Sequence, residues 1–384
     1  EALLPRWRRN DLLPLWVADM DFETPKFITD ALKKRLEHSL FGYTVEPKEL
    51  WQSIINWVNE HHQWELKREW LKFIPGIVKG IGLIINVYTK PGDKVIIQPP
   101  VYHPFRLTPE GNNREVVFNP LKLRDDGYYD MDFDNLEKVC DDKCRIFILC
   151  NPHNPAGICW RKETLQQLAD FCYDHHLLVI SDEIHCDMAI FGHKHIPFAT
   201  VSEKARENSI TFQAPTKTFN IAGIISSYAI IPNADIRKKF YGWIKANELD
   251  EANIFAPIAT IAAFTKGEEW RKSMLTYIED NVRFIEDYCK KNIPQIHPLR
   301  PQASFLVWLN CRELNLDHND LLDLFIDKAH LALNDGEMFG QGGEGFMRMN
   351  IAAPRSILKQ ALEQLASAVN NLKLFIDSCS PNFT

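Results

Sequence analysis

Short apolar runs mark the chain at 94–98, 145–150, 177–181, 210–213 and 227–231. Between several of them the pattern changes to a helical period. In 162–175 the apolar Leu165, Leu168, Ala169 and Cys172 recur three or four positions apart, on one face of a helix. Runs apolar at nearly every position imply strands buried on both faces. Their alternation with helices predicts a mostly parallel sheet covered by helices, an α/β fold. The last third differs: 270–290 is a long helical stretch, 303–310 and 345–351 read as strands, and 358–376 as a final helix. This predicts a large domain over 46–254. A smaller α+β domain is expected from 255–384, joined by an amino-terminal arm, 1–45. There is no internal repeat and no low-complexity tract.

Composition narrows the class. The 384 residues are 45% apolar, enough to bury a large core in two domains. A net charge of −7, with both signs mixed along the chain, gives no basic track for nucleic-acid phosphates. No apolar run approaches the ~20 residues that span a bilayer. Residues 1–9 lack the apolar stretch of a signal peptide, so a cytoplasmic location is expected. The first residue is Glu1 and not Met, and further upstream sequence is expected. Nine cysteines without any C-x-x-C pair fit reduced thiols better than a disulfide framework. Asn382, Phe383 and Thr384 spell a glycosylation sequon, expected to be incidental in the absence of a secretion signal.

The first four of these apolar runs each lead directly into an unusual polar segment: Pro99 to His103, Asn151 to Gly157, Asp182 to His185, and Ala214 to Lys217. In open α/β sheets ligands bind at the carboxyl ends of the strands, so these segments can converge on one pocket. Tyr102, Asn154, Asp182 and Lys217 would meet there.

These segments carry a resemblance that covers nearly the whole chain. Together with 15–22 (Leu-Trp-Val-Ala-Asp-Met-Asp-Phe) and 75–82, they are similar to fold-type I pyridoxal phosphate (PLP) enzymes of the aminotransferase class I/II superfamily. The chain most resembles their carbon–sulfur lyase branch, the cystathionine β-lyases related to MalY and PatB. The resemblance implies PLP as cofactor and a PLP-dependent transferase-like fold, with 46–254 as the PLP-binding domain. Lys217 matches the Schiff-base lysine, whose amine is displaced by substrate and then free to take the Cα proton. A solvated surface lysine is the plainer alternative. Asp182 matches the carboxylate that pairs with the pyridine nitrogen, with a helix cap as its competing role. Glu183 is read as structural. Tyr102 matches the ring stacked on the pyridine, and is grouped with Lys217 and Asp182 as catalytic, although it could simply cap the core. Asn154 matches the asparagine bonded to the cofactor's phenolic oxygen and close to substrate, in a segment whose prolines also suit a turn.

His185 stands where aminotransferases usually carry a tyrosine, and resembles the lyase branch; tuning the cofactor, contacting substrate and a structural role remain open. Gly76, Ile77 and Val78 precede an apolar helix as the family's phosphate loop does, and Thr216 could add a hydroxyl. Two positions depart from the aminotransferase pattern: Ala214 replaces a common serine, and Ile225 a common phosphate-binding arginine. Tyr43 resembles the tyrosine that reaches the neighbouring subunit's phosphate, implying a homodimer. Arg348 matches the arginine that grips the substrate carboxylate bidentately, against a surface salt bridge as the bland role. Arg355 fits that motif less well.

Gly340, Gly342 and Gly345 spell G-x-G-x-x-G, but they precede a strand and do not open a helix, so a loop is expected there and no dinucleotide site. Thirteen histidines show no supported ligand spacing, and no metal is expected. The function implied is β-elimination on cystathionine, cysteine or cysteine S-conjugates, giving pyruvate, ammonia and a thiol. The segments around Asp19, His185, Phe219 and Asn220 favour it. An aminotransferase using the same lysine is the alternative, and a regulatory or interaction protein without turnover is a third. Intact Lys217, Asp182 and Arg348 argue against the third.

Overall fold

The computed structural model describes residues 9–379, so the 382–384 sequon and most of the 1–9 segment lie outside the described residues. Seven strands form the main sheet. From one edge to the other they are Leu71–Ile74, Ser227–Ile230, Ser209–Gln213, Leu178–Asp182, Cys144–Cys150, Lys94–Ile97 and Glu115–Phe118. All neighbours run parallel except Ser227–Ile230, which is antiparallel to both of its partners. All five apolar runs are strands of this sheet. The two edge strands carried no comparable signal, because Lys72 and Glu115 break their apolar character.

Strand composition follows from two-sided burial. Every residue of Leu178–Asp182 and Ser209–Gln213 is buried. Helices Ile77–Tyr88 and Ala234–Ala246 cover one face, packing Ile81, Ile84, Phe240 and Ile244 against Ile180 and Phe212. On the other face Lys162–Asp174 presents Leu165, Leu168, Ala169 and Cys172, the four residues whose spacing marked the helix.

A second sheet of four strands, in the order His297–Leu299, Leu306–Asn310, Phe346–Asn350 and Asn334–Asp335, is antiparallel throughout. The long helices Glu268–Asn292 and Arg355–Cys379 pack with it in one core that includes Ile278, Ile285, Met349 and Leu362. Helix Phe255–Lys266 was not legible in the sequence. It is buried nearly all round, through Ala256, Ala259, Ala262, Ala263 and Phe264, so no polar face gives it a helical period. The glycines 340, 342 and 345 lie in the loop before Phe346–Asn350, as expected.

The amino-terminal arm links this second sheet to the first. Leu13–Pro14 pairs in parallel with Leu331–Ala332, and Asp21 N–H donates to Ala352 O at 2.8 Å. Between these anchors, 15–20 passes beside the carboxyl ends of the main-sheet strands, where Lys217 Nζ donates to the Ala18 carbonyl.

Candidate active site

Four parallel strands deliver the site. Lys94–Ile97 leads to Tyr102, Cys144–Cys150 to Asn154, Leu178–Asp182 ends on Asp182, and Ser209–Gln213 leads to Lys217. Parallel strands end on the same edge, so sheet topology brings these segments together. Tyr102 N–H donates to Asn154 O at 3.1 Å, and Asn151 N–H to Asp182 O at 3.0 Å, locking adjacent segments to each other.

Asp182 is buried. Its carboxylate accepts the Ile184 N–H at 3.1 Å. Burial pushes its pKa from 3.8 up to about 7; the neighbouring Glu183 adds to the rise and Lys217 opposes it. Burial also lowers the Lys217 amine, while Asp19 and Asp182 hold it up. Lys217 Nζ donates to Ala18 O at 2.6 Å and stands 3.7 Å from Asp19 Oδ1. Burial raises the Tyr102 hydroxyl, and Asp182 and Arg348 both act on it.

Arg348 lies on the second sheet, in Phe346–Asn350, yet its side chain reaches the first. Nη1 donates to Asn154 Oδ1 at 2.9 Å, and Nη2 to Trp16 O at 3.0 Å and to Asn334 Oδ1. These acceptors are all neutral, and Nε, also buried, has no partner. Among the described residues no carboxylate lies within ion-pair distance of Arg348. Burial lowers its pKa to about 10, which still leaves it charged at neutral pH. A buried cation without a counter-ion is costly. Arg355 is engaged elsewhere, with Nε on Asn281 Oδ1 at 2.8 Å.

His185 is buried beside Lys217 and Arg348, with Nδ1 unpartnered; burial first, then these two cations, depress it to about 3. It is a neutral imidazole. Thr216 is buried next to Lys217. Gly76 is the N-cap of Ile77–Tyr88 with φ +112°, a conformation that favours glycine. No side chain caps this helix start, so the first N–H groups, including those of Ile77 and Val78, are open to an anion. A side chain at Gly76 would approach Ile225, which places the departure from the arginine pattern beside this helix start and leaves it without that charge.

Tyr43 is not brought to this group. It is fully exposed, in a surface cleft with Arg35, Phe41 and Lys245, and that cleft contains none of the other named residues. The sequence missed the clamps on the arm. Asn350 Nδ2 donates to Val17 O and to Asp19 O at 2.6 Å, and Asn220 donates to Met20 O and Phe22 O at 2.9 and 2.8 Å. Their only sequence signal was membership of segments next to Arg348 and Lys217. A His–Cys–Asp group, His62, Cys186 and Asp187, also gathers without spacing to announce it. His62 Nε2 lies 2.8 Å from Asp187 Oδ1, which also accepts from Trp57 at 3.0 Å, so the carboxylate of this group is already engaged by His62 and Trp57.

The profile of the aminotransferase class I and II family matches residues 10–365. The chain belongs to that family. Within it, the chain is 41% identical over 362 residues to cystathionine β-lyase PatB of Bacillus subtilis, covering 94% of this chain and 93% of PatB. Among solved structures of the family, it is similar to a PLP-bound putative aminotransferase from Clostridium difficile 630, with TM-score 0.92, 42% identity, and 94% and 93% of the two chains covered. It is also similar to cystalysin from Treponema denticola, which contains a pyridoxal 5′-phosphate cofactor, with TM-score 0.91, 34% identity, and 96% of each chain covered.

Proposed function

We propose that the protein is a PLP-dependent carbon–sulfur β-lyase acting on cystathionine or related cysteine thioethers. The observation that carries this reading is the convergence of Lys217, Asp182 and an Arg348 without a counter-ion, in a chain so similar to a cystathionine β-lyase. The residues fit the cofactor. A buried carboxylate with a raised pKa suits a protonated ring nitrogen, and the uncapped helix start at Gly76, Ile77 and Val78, with Thr216, suits a phosphate.

When bound, PLP supplies a conjugated electron-poor ring that lets a Cα proton and then a Cβ thiolate leave. The chain's residues do the rest. Asp182 would pair with the ring nitrogen and Tyr102 would cover the ring. Asn154, whose Oδ1 accepts from Arg348, would offer its Nδ2 to the cofactor's phenolic oxygen. Arg348 exchanges its neutral acceptors for the substrate carboxylate, fixing the orientation of the Cα–H and Cβ–S bonds. Lys217 would hold the cofactor and, once displaced by the substrate amine, would take the Cα proton at Nζ, a role eased by its depressed pKa; the protonated amine could then return that proton to the departing sulfur. Neutral His185, beside Lys217 and Arg348, would be available there as a donor or acceptor.

The active form in this reading is a homodimer. Leu36, Leu40, Phe41, Tyr43 and Val45 make an exposed apolar stretch, a surface suited to a second copy whose phosphate site Tyr43 would complete. A cytoplasmic location fits the eight free cysteines among the described residues. No described helix is long and apolar enough to cross a membrane.

The test of reaction type uses cystathionine as sole substrate. The lyase makes pyruvate, ammonia and homocysteine continuously with no 2-oxo acid present. Turnover that stops after one equivalent and resumes when a 2-oxo acid is added identifies an aminotransferase instead.

A further inference from the structure

Directly after Asp182 stands Glu183, an acid whose side chain is completely buried outside the reaction chemistry described above. Both of its oxygens are occupied. Oε1 accepts from Ser181 Oγ at 2.9 Å and from Phe198 N–H at 2.8 Å. Oε2 lies 2.9 Å from His195 Nε2 and accepts from Gln213 Nε2 at 3.1 Å. Gln213 is held in turn by the Tyr228 hydroxyl at 3.2 Å. These donors come from different parts of the fold. Ser181 lies on the strand that carries Asp182, Gln213 ends the strand that leads to Lys217, and His195 and Phe198 lie in the connection between them. The Glu183 N–H also donates to Phe212 O at 2.9 Å. Glu183 therefore ties together the two strand ends that present the acid and the amine.

We propose that Glu183 is a positioning residue: its carboxylate fixes Asp182 relative to Lys217, and its charge keeps a proton on the ring nitrogen that Asp182 faces. The proposal rests on the assignment of Asp182 to that nitrogen. A negative charge one residue away in a dry interior raises the proton affinity of its neighbours, in the direction already seen for Asp182. The other influences on Asp182 are the Ile184 N–H and Lys217, which oppose the effect; Tyr102 and Cys150, which sense Asp182, are raised by burial and neutral at pH 7. Around Glu183, His195 is held neutral by burial, its Nδ1 has no partner, and its ring meets that of His62 edge-on at 5.3 Å. His62 is paired with Asp187, while burial raises Cys186 and Tyr228, which also sense Glu183, so both stay neutral. Glu183 and Asp187 are thus the acids on this side, and Asp187 has its own donors in His62 and Trp57.

The test compares holoenzymes loaded with cofactor labelled with ¹⁵N at the ring nitrogen. In Glu183→Gln the ¹⁵N resonance should move toward the unprotonated position, and kcat should fall ~10- to 100-fold with KM changed less than about threefold, because Arg348 is untouched. Glu183→Asp keeps the charge but is too short to hold all four donors. Its resonance should stay at the protonated position while kcat falls about tenfold. A Glu183→Gln enzyme with the parental resonance and kcat overturns the proposal. If Glu183→Gln yields no folded holoenzyme, Glu183→Asp decides: a deprotonated ring nitrogen or an unaltered kcat refutes it. Asp182→Asn, measured alongside, separates the two ideas. If it leaves the resonance in place, the Asp182 assignment fails; if it shifts the resonance and Glu183→Gln does not, only the role of Glu183 fails.

Discussion

Arg348 and Asn154 are 194 residues apart in sequence, yet Arg348 Nη1 donates to Asn154 Oδ1 at 2.9 Å, joining the second sheet to a strand end of the first. The guanidinium is thereby held in one orientation. Its other acceptors, Trp16 O and Asn334, hold the opposite side of the fork.

Arg348→Lys should therefore raise KM for cystathionine by about two orders of magnitude, since an ammonium cannot reproduce the planar fork. Cofactor affinity should change little. Steady-state kinetics with a cofactor titration checks both, and a KM within threefold of the parent would remove the carboxylate-binding role.

Lys217→Ala should abolish the visible absorption that arises from the lysine–cofactor link and lower elimination by several orders of magnitude. An absorption spectrum and a pyruvate assay suffice. Near-parental turnover in this variant would take Lys217 out of the mechanism.

Asp182 should make the stability of the cofactor-free protein fall as pH rises from 3.8 toward about 7. Its pKa rises from 3.8 to about 7 on burial, so between these values the folded state holds a proton that the unfolded state has lost. Stability contributed by that proton is present at low pH and is lost as pH rises through about 7, a change on the order of a few kcal/mol. Cofactor-free Asp182→Asn should consequently melt several degrees above the parent at pH 8, yet bind cofactor poorly. Melting curves at pH 5 and pH 8 decide this, and an equal or larger gain at pH 5 contradicts it.

Asn350→Ala removes two donors that pin Val17 and Asp19. The arm over Lys217 should loosen, at a cost of roughly 1–3 kcal/mol. Hydrogen exchange at 15–22 should accelerate while the strands stay protected. Unchanged exchange there would show that the remaining bonds to the arm, from Arg348, Lys217, Asn220 and the Asp21 N–H, suffice to hold it.

Tyr43→Ala should weaken cofactor retention without disturbing the fold, because its side chain is fully exposed within one chain. Mixed with Lys217→Ala, it should recover part of the activity through hybrid dimers, in which one site receives both intact residues. An active monomer in sedimentation would end that argument.

The sequence by itself determined the main strands, because burial on both faces demands runs such as Ile146 to Cys150 that are apolar at nearly every position. It also determined the identity of Asp182, Asn154 and Lys217 as strand-end residues, since position after a strand is a local property. It could not place helix Phe255–Lys266, whose burial all round erases the helical period. Nor could it show that Ala18 and Asp19 would lie against Lys217, or that Glu183 would gather donors from Ser181, His195, Phe198 and Gln213. Those contacts join residues up to about two hundred positions apart. Hydrophobic pattern fixes which face of an element is buried, but hydrogen bonds across the chain form only after the sheets have packed, so the tertiary structure alone decided them.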